Sequence, residues 1–237
     1  MKRILKKYTP PDETPSFTAW KQRKKLTKAD LLKKRNLQKQ QADIWKIFAK
    51  TTDEKLTLKT DLLQEQGFLC CYCQNRILLD SNTQIEHFIP RSVEALRMFD
   101  YENLLACCDG GQQKRTENNE NQTIEYIPKF CGAAKDNDLL TINPLQNDCE
   151  THFDYVIGED FEIEILGKTK DADNAIQVLN LNLPHLKRLR GNFIKNLITG
   201  ENGIFLNKND LLSIKRQILI LQNGKFYPFC AILDKLI

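Results

Sequence analysis

The sequence has no apolar run approaching the roughly 18 to 20 residues that a membrane-spanning helix needs. Its first residues are basic, and no apolar segment of the kind found in export signals follows them. It also lacks internal repeats, and its composition is too ordinary for a collagen-like or fully disordered chain. These absences predict a globular cytoplasmic protein without a membrane contact.

Hydrophobic residues make up 41% of the 237 positions, so the chain can bury a core without disulfide bonds. Its eight cysteines therefore need another explanation. Because the cytosol keeps thiols reduced, cysteines in a chain without an export signal are expected to be free thiols or metal ligands.

Positive charge is concentrated at the N-terminus. Residues 1–40 hold 13 lysines and arginines against three acids, a net charge of +10. The whole chain has 35 basic and 31 acidic residues, so the other 197 residues carry a net charge of −6. Such a segment could bind the phosphates of nucleic acid, dock on an acidic protein, or form a solvated lysine-rich helix. The charge pattern alone leaves these three alternatives open.

The hydrophobic pattern predicts an α+β fold that is mainly helical. Apolar residues that recur at helical spacing predict one or two helices over about 28–50. Single helices are predicted over about 54–66, 172–179, 183–198 and 210–221. Short β-rich or alternating apolar runs lie at 68–72, 77–79, 84–89, 104–107 and 161–165. The runs from 68 to 89 predict a hairpin-like unit. Gly67 is predicted to be a left-handed cap at the end of a helix, and Asn209 is predicted to be a helix N-cap.

Changes in composition divide the chain into three parts. Residues 1–66 are a basic, helical N-terminal region, and 67–145 carry the β-rich runs and most of the cysteines. Residues 146–237 begin with an acidic stretch and continue as a mostly helical C-terminal region.

Cys70 and Cys73 form a C-x2-C pair, a spacing that lets two thiolates from one tight turn reach a tetrahedral zinc at about 2.3 Å. The other half of such a site could come from Cys107 or Cys108 together with Cys131. A redox pair is a rival interpretation, but a thioredoxin-like motif opens a long helix, and here more strand follows. Unrelated buried thiols are the remaining alternative.

Glu86 and His87 are adjacent polar residues in the short apolar run 84–90. At the end of a strand, the carboxylate can hold a hard divalent cation while the imidazole reaches an attacking water. A lone Glu-His pair is more often an ordinary surface feature. The other histidines, His152 and His185, lie in the acidic segment and in a predicted helix.

Taken together, these motifs resemble the HNH endonuclease pattern. A C-x2-C pair at 70–73 is followed by Glu86-His87, by Asn103 sixteen residues after the histidine, and by Cys108. The resemblance implies a ββα-metal nuclease core over 67–145.

The family pattern usually ends in a C-x2-C-[HND]-x2-K tail, and this chain departs from it. The first tail cysteine resembles Cys108, which favours Cys108 over Cys107, and the second is displaced to Cys131. The position that normally offers the last metal ligand is Gly132, which has no side chain to bind a metal. Neighbours that could substitute for it are Asp136, Asn137 and Asp109.

The family resemblance also assigns roles. His87 would be the general base, neutral at pH 7 from its reference pKa near 6.5. Glu86 would help to hold a catalytic Mg²⁺ or Mn²⁺, Asn103 would fix the loop that orients the histidine, and Lys135 would contact phosphate. A closed four-sulfur site leaves no open position for catalysis, so its zinc would be structural. The four zinc ligands implied are Cys70, Cys73, Cys108 and Cys131.

Further stretches resemble a narrower HNH branch, which includes the nuclease subunit of Septu antiphage-defence systems and members found beside retrons. They are Met1 to Ile4 with Lys6 and Pro10, 62–67, 70–73, 85–88, 143–145 and 179–182. This resemblance implies an effector subunit that works with an ATPase of the ABC/SMC-like type. It also implies a nucleic-acid substrate, either DNA or RNA, with tRNA among the candidates. A retron reverse transcriptase with its RNA–DNA is a further implied partner.

Two other functions stay open at this stage. One is a zinc-stabilised subunit that binds nucleic acid or a partner without cleavage, a hypothesis that Gly132 motivates. The other is a globular protein unrelated to nucleic acid.

Overall fold

The structure is a computed structural model, and it describes residues 1–8, 14–111, 128–199 and 204–236. About half of the described chain is helical, and its strands form two small two-stranded antiparallel sheets. This confirms a mainly helical α+β composition. Within these ranges, no helix is both long and apolar enough to cross a membrane.

The N-terminal part of the chain is helical. Its helices are α1 (Pro15–Lys24), α2 (Lys28–Leu32), α3 (Leu37–Ala49) and α4 (Asp53–Glu65). Of the one or two helices predicted over 28–50, the structure has two, α2 and α3, because Asn36 before α3 has a φ of 55°, and that left-handed conformation interrupts a right-handed helix. The helix predicted over 54–66 is confirmed as α4, and Gly67 has a φ of +56°, as expected of a left-handed cap.

The basic N-terminal region is part of the core. Met1 and Ile4 are buried, and the amide of Ile4 donates a 2.8 Å hydrogen bond to the carbonyl of Pro144. From α1, Phe17 and Trp20 are buried against an aromatic cluster that includes Phe48 and Phe99. Residues 1–8 and 14–24 therefore contribute to stability and do not form a detachable basic arm.

The first sheet pairs β1 (Thr83–His87) with β2 (Leu104–Cys108), so that Glu86 lies opposite Leu105 and His87 opposite Leu104. The runs 68–72 and 77–79, predicted as strands, are a tight turn closed by one bridge between Leu69 and Arg76. Positive φ angles at Phe68 and Gln74 bend this segment out of an extended conformation. The hairpin-like unit predicted from 68 to 89 is therefore wrong, and the true partner of β1 is β2.

The helix α5 (Cys131–Lys135) packs against β2, and the C-terminal part of the chain fixes where it begins. The amide of Cys131 donates to the carbonyl of Leu179 at 2.9 Å, and the side chain of Asn180 donates to the carbonyl of Lys129 at 2.8 Å. The segment 179–182 therefore anchors the start of α5 beside the sheet.

The C-terminal part holds a second hairpin and further helices. They are β3 (Phe153–Ile157), β4 (Ile163–Gly167), α6 (Lys170–Val178), α7 (Pro184–Ile198), α8 (Lys208–Ile218) and α9 (Cys230–Leu236). The strand predicted at 161–165 begins two residues later, because Asp160 and Phe161 have positive φ angles. The cap of α8 is Asn207, whose side chain accepts from the amides of Asn209 and Asp210, so the predicted cap Asn209 is wrong.

Candidate metal and catalytic site

Two chain segments outside the sheet hold the β1–β2 scaffold in place. At the end of α4, Gln66 bonds to both the amide and the carbonyl of Ala106 in β2 and to the carbonyl of Leu69 in the cysteine turn. From the N-terminus, Lys6 reaches Glu65 at 2.6 Å and the carbonyl of Leu104 at 2.5 Å. Several stretches that carry the family resemblance thus meet around this sheet.

The turn after Gly67 carries the first cysteines of a thiol cluster. The amide of Cys70 donates to the carbonyl of Asn75, and the amide of Gln74 donates back to the carbonyl of Cys70. The sulfurs of four cysteines from the turn, β2 and α5 lie within 4.8 Å of one another: Cys70, Cys107, Cys108 and Cys131. Three of the four are buried and Cys108 is half-buried, so these thiols are placed to bind a metal ion.

This group differs in one member from the predicted zinc ligands, because it contains Cys107 and does not contain Cys73. Cys73 is also buried, but it is not among the four thiols whose sulfurs lie within 4.8 Å of one another. The structure thus brings three of the four predicted ligands together, Cys70, Cys108 and Cys131, and adds Cys107 to them. Which of them bind, and which metal, stays a prediction.

The cluster changes how readily its thiols ionise. Burial opposes ionisation of Cys70, but its hydrogen bonds with Cys107, Cys108 and Cys131 outweigh burial and lower its pKa well below the usual value. Burial instead raises the pKa of Cys131. One thiol is thus favoured as a thiolate, the form that binds soft metals.

Glu86 lies deep beside the cluster, and its two carboxylate oxygens have different surroundings. Oε1 accepts from the Tyr72 hydroxyl at 3.1 Å and lies 2.9 Å from Nζ of Lys135. Oε2 faces the backbone of α5 at Gly132, where a Cβ atom would come within 2.7 Å of it. Burial raises the pKa of Glu86, while Lys135 and Tyr72 act in the opposite direction. The glycine provides the space that the carboxylate fills.

Lys135 is almost fully buried, with 1% of its side chain exposed. Besides Glu86, its ammonium donates to the carbonyl of His87 at 3.0 Å. The phosphate contact predicted for Lys135 stays a prediction, because two of the three N–H donors of this buried ammonium are already used by Glu86 and the carbonyl of His87.

His87 is buried at the end of β1, and one of its ring nitrogens has a fixed partner. Nε2 lies 3.0 Å from the carbonyl oxygen of Met98, which can only accept, so Nε2 carries the proton and Nδ1 keeps its lone pair. The edge of Trp45 from α3 packs on the ring, with centroids 4.4 Å apart. Burial, and secondarily the charge of Arg91, lowers the pKa of His87 to about 3.

Asn103 is buried just before β2 and ties together the loop that follows His87. Its Nδ2 donates to the carbonyls of Ile89 and Arg97 at 3.0 and 3.1 Å, and its Oδ1 accepts from the amide of Ile89 at 2.7 Å. The contacts are with backbone only, which is the arrangement expected of a residue that orients the histidine loop. Its catalytic importance stays a prediction.

Glu86 and His87 line one cleft of about 230 Å³. The remaining walls are formed by Gln41, Ile85, Pro90, Arg91, Ser92, Gly132, Asp136 and Asn137. Of the neighbours expected to replace the ligand missing at Gly132, Asp136 and Asn137 therefore reach the cleft. Asp109 is not among the residues that line it, and its carboxylate accepts from the amide of Gly111 at 3.3 Å.

Helix α3 supplies parts of this site that the sequence did not reveal. Trp45 packs on His87, Gln41 lines the cleft, and Gln38 donates to the carbonyls of Arg91 and Ser92. These residues recur at helical spacing, which was visible as a pattern, but nothing in the sequence said that this stripe would cover the histidine loop.

Comparison with known proteins agrees with the candidate nuclease site. No family model matches the chain. A protein of Vibrio cholerae serotype O1 biovar El Tor, named "Retron Vc95 putative HNH endonuclease", is 32% identical over 141 residues. The match covers 56% of this chain and spans 61% of that protein, which is less than two thirds of its length. This similarity supports a relationship of the chain to the HNH family. It does not show a relationship to the Septu branch.

Proposed function

We propose that this chain is a metal-dependent HNH endonuclease that hydrolyses phosphodiester bonds in DNA or RNA. One observation carries the proposal: Glu86 and His87 line a single cleft at the end of β1, directly beside the buried thiol cluster. The similarity to a protein named as an HNH endonuclease supports the same conclusion.

His87 is the proposed general base. Its Nε2 proton is held by the carbonyl of Met98, so Nδ1 is the nitrogen that takes a proton from water. A pKa of about 3 keeps the ring neutral at pH 7 but makes it a weak base. A bound phosphate would offset the charge of Arg91 and raise this pKa, because a nearby negative charge favours the protonated ring. Substrate binding would therefore strengthen the base.

Glu86 is the residue that would hold a divalent cation. Tyr72 and Lys135 both contact Oε1, so Oε2 is the oxygen left for a metal. A site with a single carboxylate suits Mg²⁺ or Mn²⁺, since Mg²⁺ usually keeps several of its waters, and Asp136 and Asn137 on the cleft wall could hold those waters. When bound, such an ion stabilises negative charge on the phosphate and the leaving oxygen.

The proposal extends to an effector subunit of an antiphage-defence system that acts with an ABC/SMC-like ATPase. It rests on the resemblance of the sequence to the Septu nuclease branch. The name of the Vibrio relative associates that protein with a retron, which is compatible with such a setting.

A cleavage assay tests the proposed function. The chain is incubated with Mg²⁺ or Mn²⁺ and with plasmid, single-stranded DNA or total tRNA, with and without the ATPase. We expect divalent-dependent cutting, lost by roughly 10² to 10⁴ fold in His87→Ala, the range for a removed base. His152→Ala is the matched control, because that histidine lies outside the cleft, with its Nε2 3.4 Å from a carboxylate oxygen of Asp148. Equal cutting by His87→Ala and the wild type would exclude this site.

A second candidate is a zinc-stabilised binding subunit without cleavage activity. The observation that favours it is the buried Glu86–Lys135 pair, in which an internal ammonium already neutralises the candidate metal ligand. Nucleic-acid binding without cutting under every tested metal and substrate, with the ATPase present, would support this candidate.

A further inference from the structure

Two cations lie beside Glu86 and His87, and they differ in how their N–H donors are used. The ammonium of Lys135 donates to Glu86 and to the carbonyl of His87, and its side chain is only 1% exposed. Arg91 lines the cleft and is half-buried. Among the residues that the structure describes, however, its guanidinium donates no hydrogen bond and forms no ion pair. The five N–H donors of this arginine are therefore unused.

Helix α3 fixes the position of Arg91. Its guanidinium lies over the ring of Trp45, 5.1 Å from the ring centroid, which is a cation–π contact. Nε2 of Gln38 donates to the carbonyl of Arg91 at 2.9 Å and so holds its backbone as well. A guanidinium held over an aromatic ring can still present its planar fork to two phosphate oxygens. Arg91 is therefore preorganised to bind an anion.

Gln41 is a second polar residue on the same wall whose side chain is unpaired. It lies one helical turn before Trp45 on α3 and lines the cleft. Its Oε1 is shielded from solvent and accepts no hydrogen bond from the part of the chain that the structure describes. Its Nε2 also has no partner there, and this end of the amide is not shielded. Because residues i and i+4 share one face of a helix, the free amide donors lie on the wall that holds Arg91.

Partial burial makes the unpaired guanidinium of Arg91 unfavourable. Burial lowers its pKa, while the negative charge of Glu86 acts in the opposite direction without forming an ion pair with it. A partly desolvated cation that has no counter-ion gains free energy when an anion binds to it. The wall thus offers charged and neutral N–H donors and lacks the acceptor that would use them.

We propose that Arg91 and Gln41 form the subsite that binds a phosphodiester group of the substrate, and that Lys135 stays bound to Glu86. This inference rests on the proposed function, because it names the groups that hold the nucleic acid beside His87. It differs from the expectation drawn from the family resemblance, in which Lys135 contacts phosphate. DNA and RNA share the phosphodiester group, so the subsite is open to both.

Binding of labelled single-stranded DNA and RNA oligonucleotides tests the proposal. Fluorescence anisotropy is measured over a range of salt concentrations in the full chain carrying His87→Ala, which separates binding from cleavage. We expect Arg91→Met to weaken binding on the order of 10- to 100-fold, the range for lost hydrogen bonds to a charged group. It should also lower the slope of log K against log salt concentration by about 0.7, the value for one phosphate contact on a single strand.

Two further variants complete this experiment. Gln41→Met should weaken binding by a smaller factor and leave the salt slope unchanged, because an amide carries no charge. Arg188→Met is the matched control, since that arginine is exposed on α7 and is not among the residues that line the cleft. It should bind as the parent His87→Ala chain does.

Equal affinity and equal salt slope in Arg91→Met and Arg188→Met would overturn the proposal. An unchanged slope in Arg91→Met with a reduced slope in Lys135→Met would also overturn it, because Lys135 would then be the phosphate contact. If Arg91→Met melts well below the wild type, Arg91→Lys decides, since it keeps the charge and removes the planar fork. Weaker binding by Arg91→Lys with an unchanged salt slope supports the subsite, and binding equal to the parent chain refutes it.

Cleavage by the same variants without His87→Ala separates this proposal from the proposed function. A wild-type chain that cuts, together with an Arg91→Met chain that cuts and binds equally well, keeps the nuclease and refutes the subsite. A chain that binds through Arg91 but never cuts keeps the subsite and refutes the nuclease.

Discussion

The ammonium of Lys135 lies 2.9 Å from Oε1 of Glu86 and 3.0 Å from the carbonyl oxygen of His87, so one buried cation contacts both adjacent residues of the candidate site. The contact joins α5 to the end of β1. It neutralises the Glu86 carboxylate where burial would otherwise favour the protonated acid.

Lys135→Met should destabilise the protein strongly, because it leaves Glu86 buried without its partner. Breaking such a pair typically costs about 3–5 kcal/mol of unfolding free energy. Chemical denaturation measures the change, with the exposed Lys129→Met as the control. The double variant Glu86→Gln/Lys135→Met should recover part of the loss, since neither charge remains. A Lys135→Met protein as stable as the control would show that the Glu86–Lys135 pair does not contribute to the free energy of unfolding.

Gly132→Ala should reduce cleavage while leaving the fold intact. The new Cβ would stand 2.7 Å from Oε2 of Glu86, so the carboxylate must turn away from it and leave its present position in the cleft. A displacement of this size can cost up to about 10²-fold in rate. Gly158→Ala is the matched control, because there the nearest atom to an added Cβ is 3.7 Å away. Unchanged cleavage by Gly132→Ala would contradict a catalytic position for Glu86.

Removal of the metal should destabilise the core. The cluster joins the cysteine turn, β2 and α5, and zinc binding to a thiolate site contributes directly to folding free energy. Thermal unfolding followed by circular dichroism, before and after treatment with a strong zinc chelator, should show a large fall in the melting temperature. Cys70→Ser should reproduce the effect, since Cys70 contacts the other three sulfurs. Metal-free protein of unchanged stability would refute a structural metal.

Deletion of the N-terminus cannot test what the basic region binds, because Met1, Phe17 and Trp20 are buried in the core and their loss would disturb the fold. Reversal of exposed charges tests the binding without removing core residues. Lys34, Arg35 and Lys39 are exposed, and within the described residues none of them has an ion pair. They flank Gln38 in the sequence, and Gln38 donates to the carbonyl of Arg91, a residue of the cleft wall. The chain segment that carries these cations therefore contacts the cleft wall through Gln38.

Reversing these three charges to glutamate should weaken nucleic-acid binding and reduce its salt dependence. Each lost phosphate contact lowers the slope of log K against log salt concentration by about 0.9 on duplex DNA, or 0.7 on single strands. Fluorescence anisotropy with the His87→Ala chain measures binding without cleavage, and Lys208→Glu on α8 is the control. If binding is unchanged but co-purification with the ATPase is lost, the surface is a docking element instead. If neither changes, the charges form a solvated face.

The sequence allowed prediction of the parts of the site that depend on local spacing. The C-x2-C turn, the Glu86–His87 strand end and the helices α4 and α7 follow from patterns within a few residues. The β1–β2 pairing joins residues about 20 positions apart, so local periodicity placed the hairpin one segment too early. The Glu86–Lys135 contact spans 49 positions, and no local pattern shows that an ammonium and a carboxylate so far apart will meet in the interior.

The position of Trp45 gives the protein an optical signal at the candidate site. The chain has two tryptophans, and only Trp45 touches the His87 ring, while the Arg91 guanidinium lies 5.1 Å from its ring centroid. Any ligand that draws Arg91 toward a phosphate or changes the charge of His87 will alter the surroundings of this indole. Unlabelled nucleic acid can therefore be titrated by intrinsic fluorescence, and Trp45→Phe isolates the emission of the buried Trp20 as the background.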